Sequence, residues 1–231
     1  ATIAFHARQY PLHPLLPRHR KCHALGCGLE RLRRHHRVGA PTTISGDADV
    51  STTGSLVDAF NFGTAGGMTT VNGVSFLNVA TEDWEYLDSA YIVGSGAGSL
   101  TLVGDSLATA FAFDTGEAPF SGLSDSYKSL LNSAVWNDSG ASLQIAITIQ
   151  GLTIGRQYQV QLWSNDPRSY GVDRDTPFDS VVLEQNTKPA SDPDRYEGEG
   201  GLGQWVIGSF TADNTTRTII ADAAGASARR R

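Results

Sequence analysis

The feature that most constrains this chain is a change of grammar at Thr42. From there to about residue 222, short runs rich in Val, Thr, Ile, Phe and Tyr alternate with Gly, Asn, Asp and Ser. That is the pattern of β-strands separated by turns. It predicts strands near 43–50, 55–62, 70–79, 89–94, 98–103, 107–114, 142–149, 156–164, 178–184, 203–212 and 216–221. In "QYQVQLW", Tyr158, Val160 and Leu162 share one face, and Gln157, Gln159 and Gln161 share the other, because strand side chains alternate. Only 121–135, "SGLSDSYKSLLNSAV", reads as a helix. Ser124 or Asp125 can cap it, and Tyr127, Leu130, Leu131 and Val135 fall at helical spacing. Many short strands with one short helix predict an all-β fold, a jelly-roll type β-sandwich.

Residues 1–41 follow no period of 2 or 3.6 and carry all six histidines and both cysteines, Cys22 and Cys27. They read as a basic, His/Arg/Pro-rich arm, disordered or non-native, such as a frame-shifted stretch of GC-rich DNA or a fusion scar. The expected organisation is therefore this arm at 1–41, a sandwich domain at 42–222 and a small basic tail at 223–231.

Charge follows the same division. Residues 1–41 hold eight Lys/Arg and one acidic residue, whereas 42–228 hold seven Lys/Arg and 23 Asp/Glu, a net charge of −16. Such a body repels nucleic acid and anionic membrane and attracts cations. No stretch approaches the roughly 20 apolar residues of a membrane helix, and the N-terminus has no apolar signal-peptide core. The expected partners exclude nucleic acid and membrane.

Five segments carry a resemblance: "ISGDADVSTTGSLVDAFNFG", "TTVNGVSFLNV", "YKSLLNSAVW", "GLTIGRQYQVQLWSND" and "GQWVIGSFTAD". Together they resemble a family of extracellular β-sandwich modules of planctomycete, verrucomicrobial and environmental bacteria. The fourth also resembles a strand pair of malectin-like and other galactose-binding-like jelly rolls. The resemblance spans about 43–222 and implies a fold and an extracellular or periplasmic setting more than a reaction. Family members continue past "DAAG" into one more apolar strand, whereas this chain turns to "ASARRR". The last strand is then absent, or replaced by the N-terminal arm. An exposed sheet edge of that kind invites a homodimer.

Histidine and cysteine are absent from the body, so it cannot build a Ser-His-Asp or Cys-His nucleophile or a His-based zinc site. Its chemistry must rest on carboxylates, Tyr, Arg or a hard metal ion. The acidic loop "SNDPRSYGVDRDTPFD" gathers Asp166, Asp173, Asp175 and Asp179, oxygen ligands of the kind Ca²⁺ prefers. Solvated turn residues give the same composition. Asp192, Asp194, Glu197 and Glu199 form a second acidic run, and Asp47 with Asp49 a third. Rings that can stack on a sugar are Trp84, Tyr86, Tyr170 and Tyr196, with Asn165 as a polar ligand contact. Trp136, Trp163 and Trp205 sit where core residues are expected. Glu82, Asp166 and Asp173 are the weak candidates for acid and base in hydrolysis. In the arm, Cys22, His23, Cys27, His35 and His36 have zinc-compatible spacing without the surrounding residues of a small metal fold.

Three functions fit. The first is an extracellular, Ca²⁺-stabilised jelly-roll module binding carbohydrate or another small molecule. The second is a Ca²⁺-dependent hydrolase of an ester, lactone or glycoside, working without a His or Cys nucleophile. The third is a structural or adhesion module.

Overall fold

The computed structural model describes residues 5–10, 37–62, 66–79, 86–87, 90–93, 99–103, 107–111, 120–137, 144–165, 175–178, 181–185, 187 and 201–222, for some strands by backbone alone. In chain order the strands are β1 (Phe5–Gln9), β2 (Arg37–Val38), β3 (Thr42–Thr43), β4 (Ser55–Phe62), β5 (Met68–Val71), β6 (Val74–Val79), β7 (Tyr86–Leu87), β8 (Ala90–Val93), β9 (Leu100–Val103), β10 (Leu107–Phe111), β11 (Ser133–Asn137), β12 (Gln144–Ile149), β13 (Gln157–Ser164), β14 (Asp175–Phe178), β15 (Val181–Glu184), β16 (Gln204–Thr211) and β17 (Arg217–Asp222). The one α-helix among the described residues is α1 (Asp125–Leu131). No helix among them is long and apolar enough to cross a membrane.

The chain is an all-β sandwich. An eight-stranded sheet runs β2-β16-β13-β1-β4-β6-β5, with β3 also on β16. A six-stranded sheet runs β15-β14-β17-β12-β9-β8, and β11-β10-β7 form a small third sheet. Between the two large sheets lies an apolar core. Phe60, Phe62, Tyr158, Val160, Leu162, Val206 and Phe210 from one side meet Leu100, Leu102, Ile145, Ile147, Ile149, Ile219 and Ala221 from the other. Tyr158 stacks on Phe210 with ring centroids 5.7 Å apart, and its hydroxyl accepts from the Thr153 N–H at 2.8 Å, so its one polar atom is satisfied.

Several sequence expectations change in detail. The segment 70–79 is a hairpin rather than one strand: Asn72 (φ 48°) and Gly73 (φ 74°) turn it between β5 and β6. Asn-Gly tolerates two successive positive φ values, which a two-residue hairpin needs. The helix is shorter than 121–135. A 3-10 turn occupies Phe120–Gly122, α1 follows, and Ser133–Asn137 forms β11. Val135 is buried, but from a strand. Ser124 is the cap, its Oγ accepting from the Tyr127 N–H at 3.1 Å.

The sequence presents residues 1–41 as a disordered or non-native arm, or as a replacement for a missing last strand, and part of that arm lies in the eight-stranded sheet. Strand β1 pairs antiparallel with β13 on one side and β4 on the other. Residues 37–44 run along the far side of β16, with Gly39 N–H donating to the Ile207 carbonyl at 2.8 Å and Ile44 N–H to the Gly203 carbonyl at 3.0 Å. Periodicity misses five residues such as Phe5–Gln9, because main-chain pairing needs no alternating pattern. Residues 11–36 and 223–231 lie outside the described residues.

Candidate functional site

The face of the eight-stranded sheet turned away from the sandwich is also covered. Ile44, Val50, Ala59, Val71, Val74, Phe76, Phe120, Leu123, Tyr127, Leu130, Leu131 and Trp163 form a second core there. Gln159 (5% exposed) and Gln161 (0%) are buried under it. Buried amides need partners, and these have them. Gln161 Nε2 donates to the Asp49 carbonyl at 2.7 Å, and its Oε1 accepts from the Ser51 N–H at 3.0 Å. Gln159 Nε2 donates to Ser51 Oγ at 3.0 Å, and its Oε1 accepts from the Tyr10 hydroxyl.

Asp49 is the centre of this layer. Its Oδ1 accepts from Ser45 Oγ at 2.6 Å. Its Oδ2 accepts from the Ser45 N–H at 2.6 Å, the Gly46 N–H at 3.0 Å and the Tyr127 hydroxyl at 3.0 Å. Trp163 Nε1 in turn donates to the Tyr127 oxygen at 3.1 Å. Burial, reinforced by the Asp49 charge and partly offset by the Trp163 hydrogen bond, pushes the Tyr127 hydroxyl far above its ordinary range. Tyr127 is therefore a fixed neutral donor and not a base. Asp47, the other member of the sequence pair, accepts from Ser124 Oγ at 2.6 Å. Donors of the chain itself hold both carboxylates, tying the 3-10 turn Asp47–Asp49 to α1 and β13.

Asn165 is likewise engaged by the chain. The sequence offers it as a ligand contact, but it is 0% exposed and its Nδ2 donates to the Leu131 carbonyl at 3.2 Å. It anchors the root of the acidic loop to the end of α1. Gly203 packs against that root so closely that a Cβ there would stand 2.1 Å from the Ser164 carbonyl oxygen. Asp175 belongs to β14, opposite Glu184 of β15, rather than to a loop. Trp163 is in the second core and Trp205 packs at its margin, as expected of core residues, while the Trp136 side chain is not described.

The remaining candidates fall on segments that are not described: Glu82, Trp84, Asp166, Tyr170, Asp173, Asp179 and Tyr196, as well as Asp192, Asp194, Glu197, Glu199 and the Cys/His set of the arm. Tyr86 lies in β7 opposite Ala108, with only its backbone described. Among the described residues no three His, Cys, Asp or Glu side chains group so as to hold a metal ion.

The roots of those segments are described, and they converge. Strands β4 and β13 both run antiparallel to β1, with Phe60 and Leu162 level across Phe5. Strand β6 runs parallel to β4, with Val79 level with Phe62. The C-terminal ends of β6 and β13 therefore share one end of the sheet, three strand spacings or about 14 Å apart. Segment 80–85, with Glu82 and Trp84, leaves from one of these ends, and the acidic loop leaves from the other. Gln204, where the chain returns from the second acidic run, is the register partner of Ser164. In the six-stranded sheet the two acidic connections end at Asp175 and Glu184, themselves register partners, and the Glu184 N–H donates to Gln204 Oε1 at 2.8 Å. Both acidic connections thus cross between the sheets at the same end of the sandwich.

No family model, curated protein or solved structure matches this chain.

Proposed function

We propose that this end of the sandwich is the binding surface of an extracellular carbohydrate-binding module, jelly-roll in type and stabilised by Ca²⁺. The observation that carries the proposal is the convergence of three roots. The segments bearing Trp84, Tyr170 and Tyr196, far apart in sequence, all leave the scaffold at one end, and Tyr86 follows the first of them. Flat rings stack on the C–H face of a pyranose. Carboxylates from Asp166, Asp173, Asp175 and Asp179 supply the hard oxygens a Ca²⁺ ion needs. Loops on a rigid two-sheet scaffold are the usual place for such a site, and buried Asn165 holds one of these loops at its root. Asn165 is a positioning residue in this reading.

Glycan-array binding with and without a chelator, together with metal analysis of the purified protein, tests the proposal. Trp84→Ala and Tyr170→Ala are each expected to weaken glycan binding about tenfold, as loss of roughly 1.4 kcal/mol of stacking implies, with little change in Tm. A protein that carries no ion, shows no Tm shift on chelation and binds no glycan would overturn the reading. Chelator-sensitive turnover of an ester, lactone or glycoside, abolished in Asp173→Ala, would replace it with the hydrolase.

A further inference from the structure

Strand β1 is interior in the sheet but remote in the chain. Twenty-seven residues separate Gln9 from Arg37, and its neighbours in the sheet, β4 and β13, begin at Ser55 and Gln157. Both neighbours have eight residues against five in β1, and both continue past Phe5, to Phe62 and Ser164. Phe5–Gln9 occupies the slot between them.

Although interior, β4 carries two features that protect sheet edges. Its register breaks opposite β1: Ala7 faces Asp58 and Arg8 faces Leu56, leaving Val57 as an extra residue. Asp58 is a half-buried carboxyl in the register row of Ala7 and core residue Val160. A bulge and an inward-directed charge are means by which an exposed strand resists unwanted pairing. Strand β4 therefore has the character of an edge that β1 covers. With β1 gone, two strands would lose main-chain partners that buried backbone requires, so the slot calls for a strand.

We propose that β1 is exchangeable, and that the slot between β4 and β13 accepts Phe5–Gln9 from a second copy of this chain, giving a strand-swapped dimer. The swapped strand would make the same main-chain pairs, and main-chain pairing is the basis of strand addition generally. A linker of 27 residues reaches up to roughly 90 Å, enough to span two copies. Tethering through so long a linker raises the effective concentration of the chain's own strand to about millimolar at most. Concentrated protein therefore populates the exchanged form. A dimer made through an outer edge of either sheet would not depend on β1.

The test uses the full chain carrying Ala7→Pro, since proline cannot donate to the ladder of an interior strand, and a synthetic peptide of residues 1–10. The variant is expected to lose roughly 10 °C in Tm and to regain it with millimolar wild-type peptide, but not with a peptide carrying the same proline. Two differently tagged wild-type chains, mixed at high concentration, warmed and cooled, are expected to co-purify, and Ala7→Pro chains are not. If the variant does not fold alone, refolding from denaturant with and without peptide gives the same readout. An unchanged Tm in Ala7→Pro would show that β1 is not in the slot. A lowered Tm or failed refolding that the peptide does not rescue would show that the slot does not accept a strand in trans. Either result overturns the proposal.

Discussion

The two faces of the eight-stranded sheet are both buried, yet by different chemistry. Between the sheets, aliphatic and aromatic side chains meet one another, and area removed from water is the main source of stability. On the opposite face the cover is α1 and the 3-10 turns, and a hydrogen-bonded layer from Gln159 through Asp49 to Trp163 runs beneath it. The first core tolerates any well-packed apolar set of the right volume. The second depends on particular atoms, because each buried donor or acceptor left alone is costly. Alternation along β13 is the same in both cases, so a polar row in a strand pattern marks a face and not its exposure.

The sharpest way to break this contrast begins in the apolar core. Phe62→Ala is expected to cost about 3–5 kcal/mol in denaturant unfolding, through lost burial and a cavity. On the polar side, Tyr127→Phe deletes one oxygen. It leaves Trp163 Nε1 without its acceptor and removes one of the four donors to the Asp49 carboxylate, for an expected cost of about 1–3 kcal/mol. A cost below about 0.5 kcal/mol would mean that the polar layer contributes no more than ordinary packing. Ser124→Ala removes the α1 cap and the contact to Asp47 and is expected to cost about 1 kcal/mol. Urea midpoints at constant m-value would rank these three.

The smallest expected effect comes from the apolar side of the sheet. Desolvation raises Asp58 from 3.8 to about 6. Its folded pKa exceeds its unfolded one, so between pH 4 and 6 the folded state binds the proton more tightly. This group therefore favours folding at the acid end of that window and opposes it above pH 6. Asp58→Asn should flatten that part of the stability–pH curve and slightly raise stability at pH 7. The group is half exposed, so solvent screening keeps the effect modest. A variant whose curve parallels that of the wild type would refute the assignment.

Much of the fold was legible because it is local. The strand at 55–62 is seen as predicted, and those at 157–164, 204–211 and 217–222 begin or end within a residue or two of expectation. Ser124 was one of the two caps foreseen. The β5–β6 turn was missed: 70–79 reads as one apolar strand, although Asn72-Gly73 is a standard hairpin signal. The candidate site was far less legible. Asp49 and Asn165 look like ligand residues by type and position, and only their partners show them to be held by the chain itself.

By itself, then, the sequence determined an all-β chain without His or Cys chemistry in its body, acidic in its connections. Both properties follow from residue identity and short-range spacing. Tertiary structure alone decided that Phe5–Gln9 lies inside a sheet, that Gln161 and Asp49 are buried, and that the roots of three distant segments meet at one end of the sandwich. Those outcomes depend on which strands pair and in which direction. Strand pairing joins residues a hundred or more positions apart through main-chain atoms that every residue shares, so no local pattern encodes it.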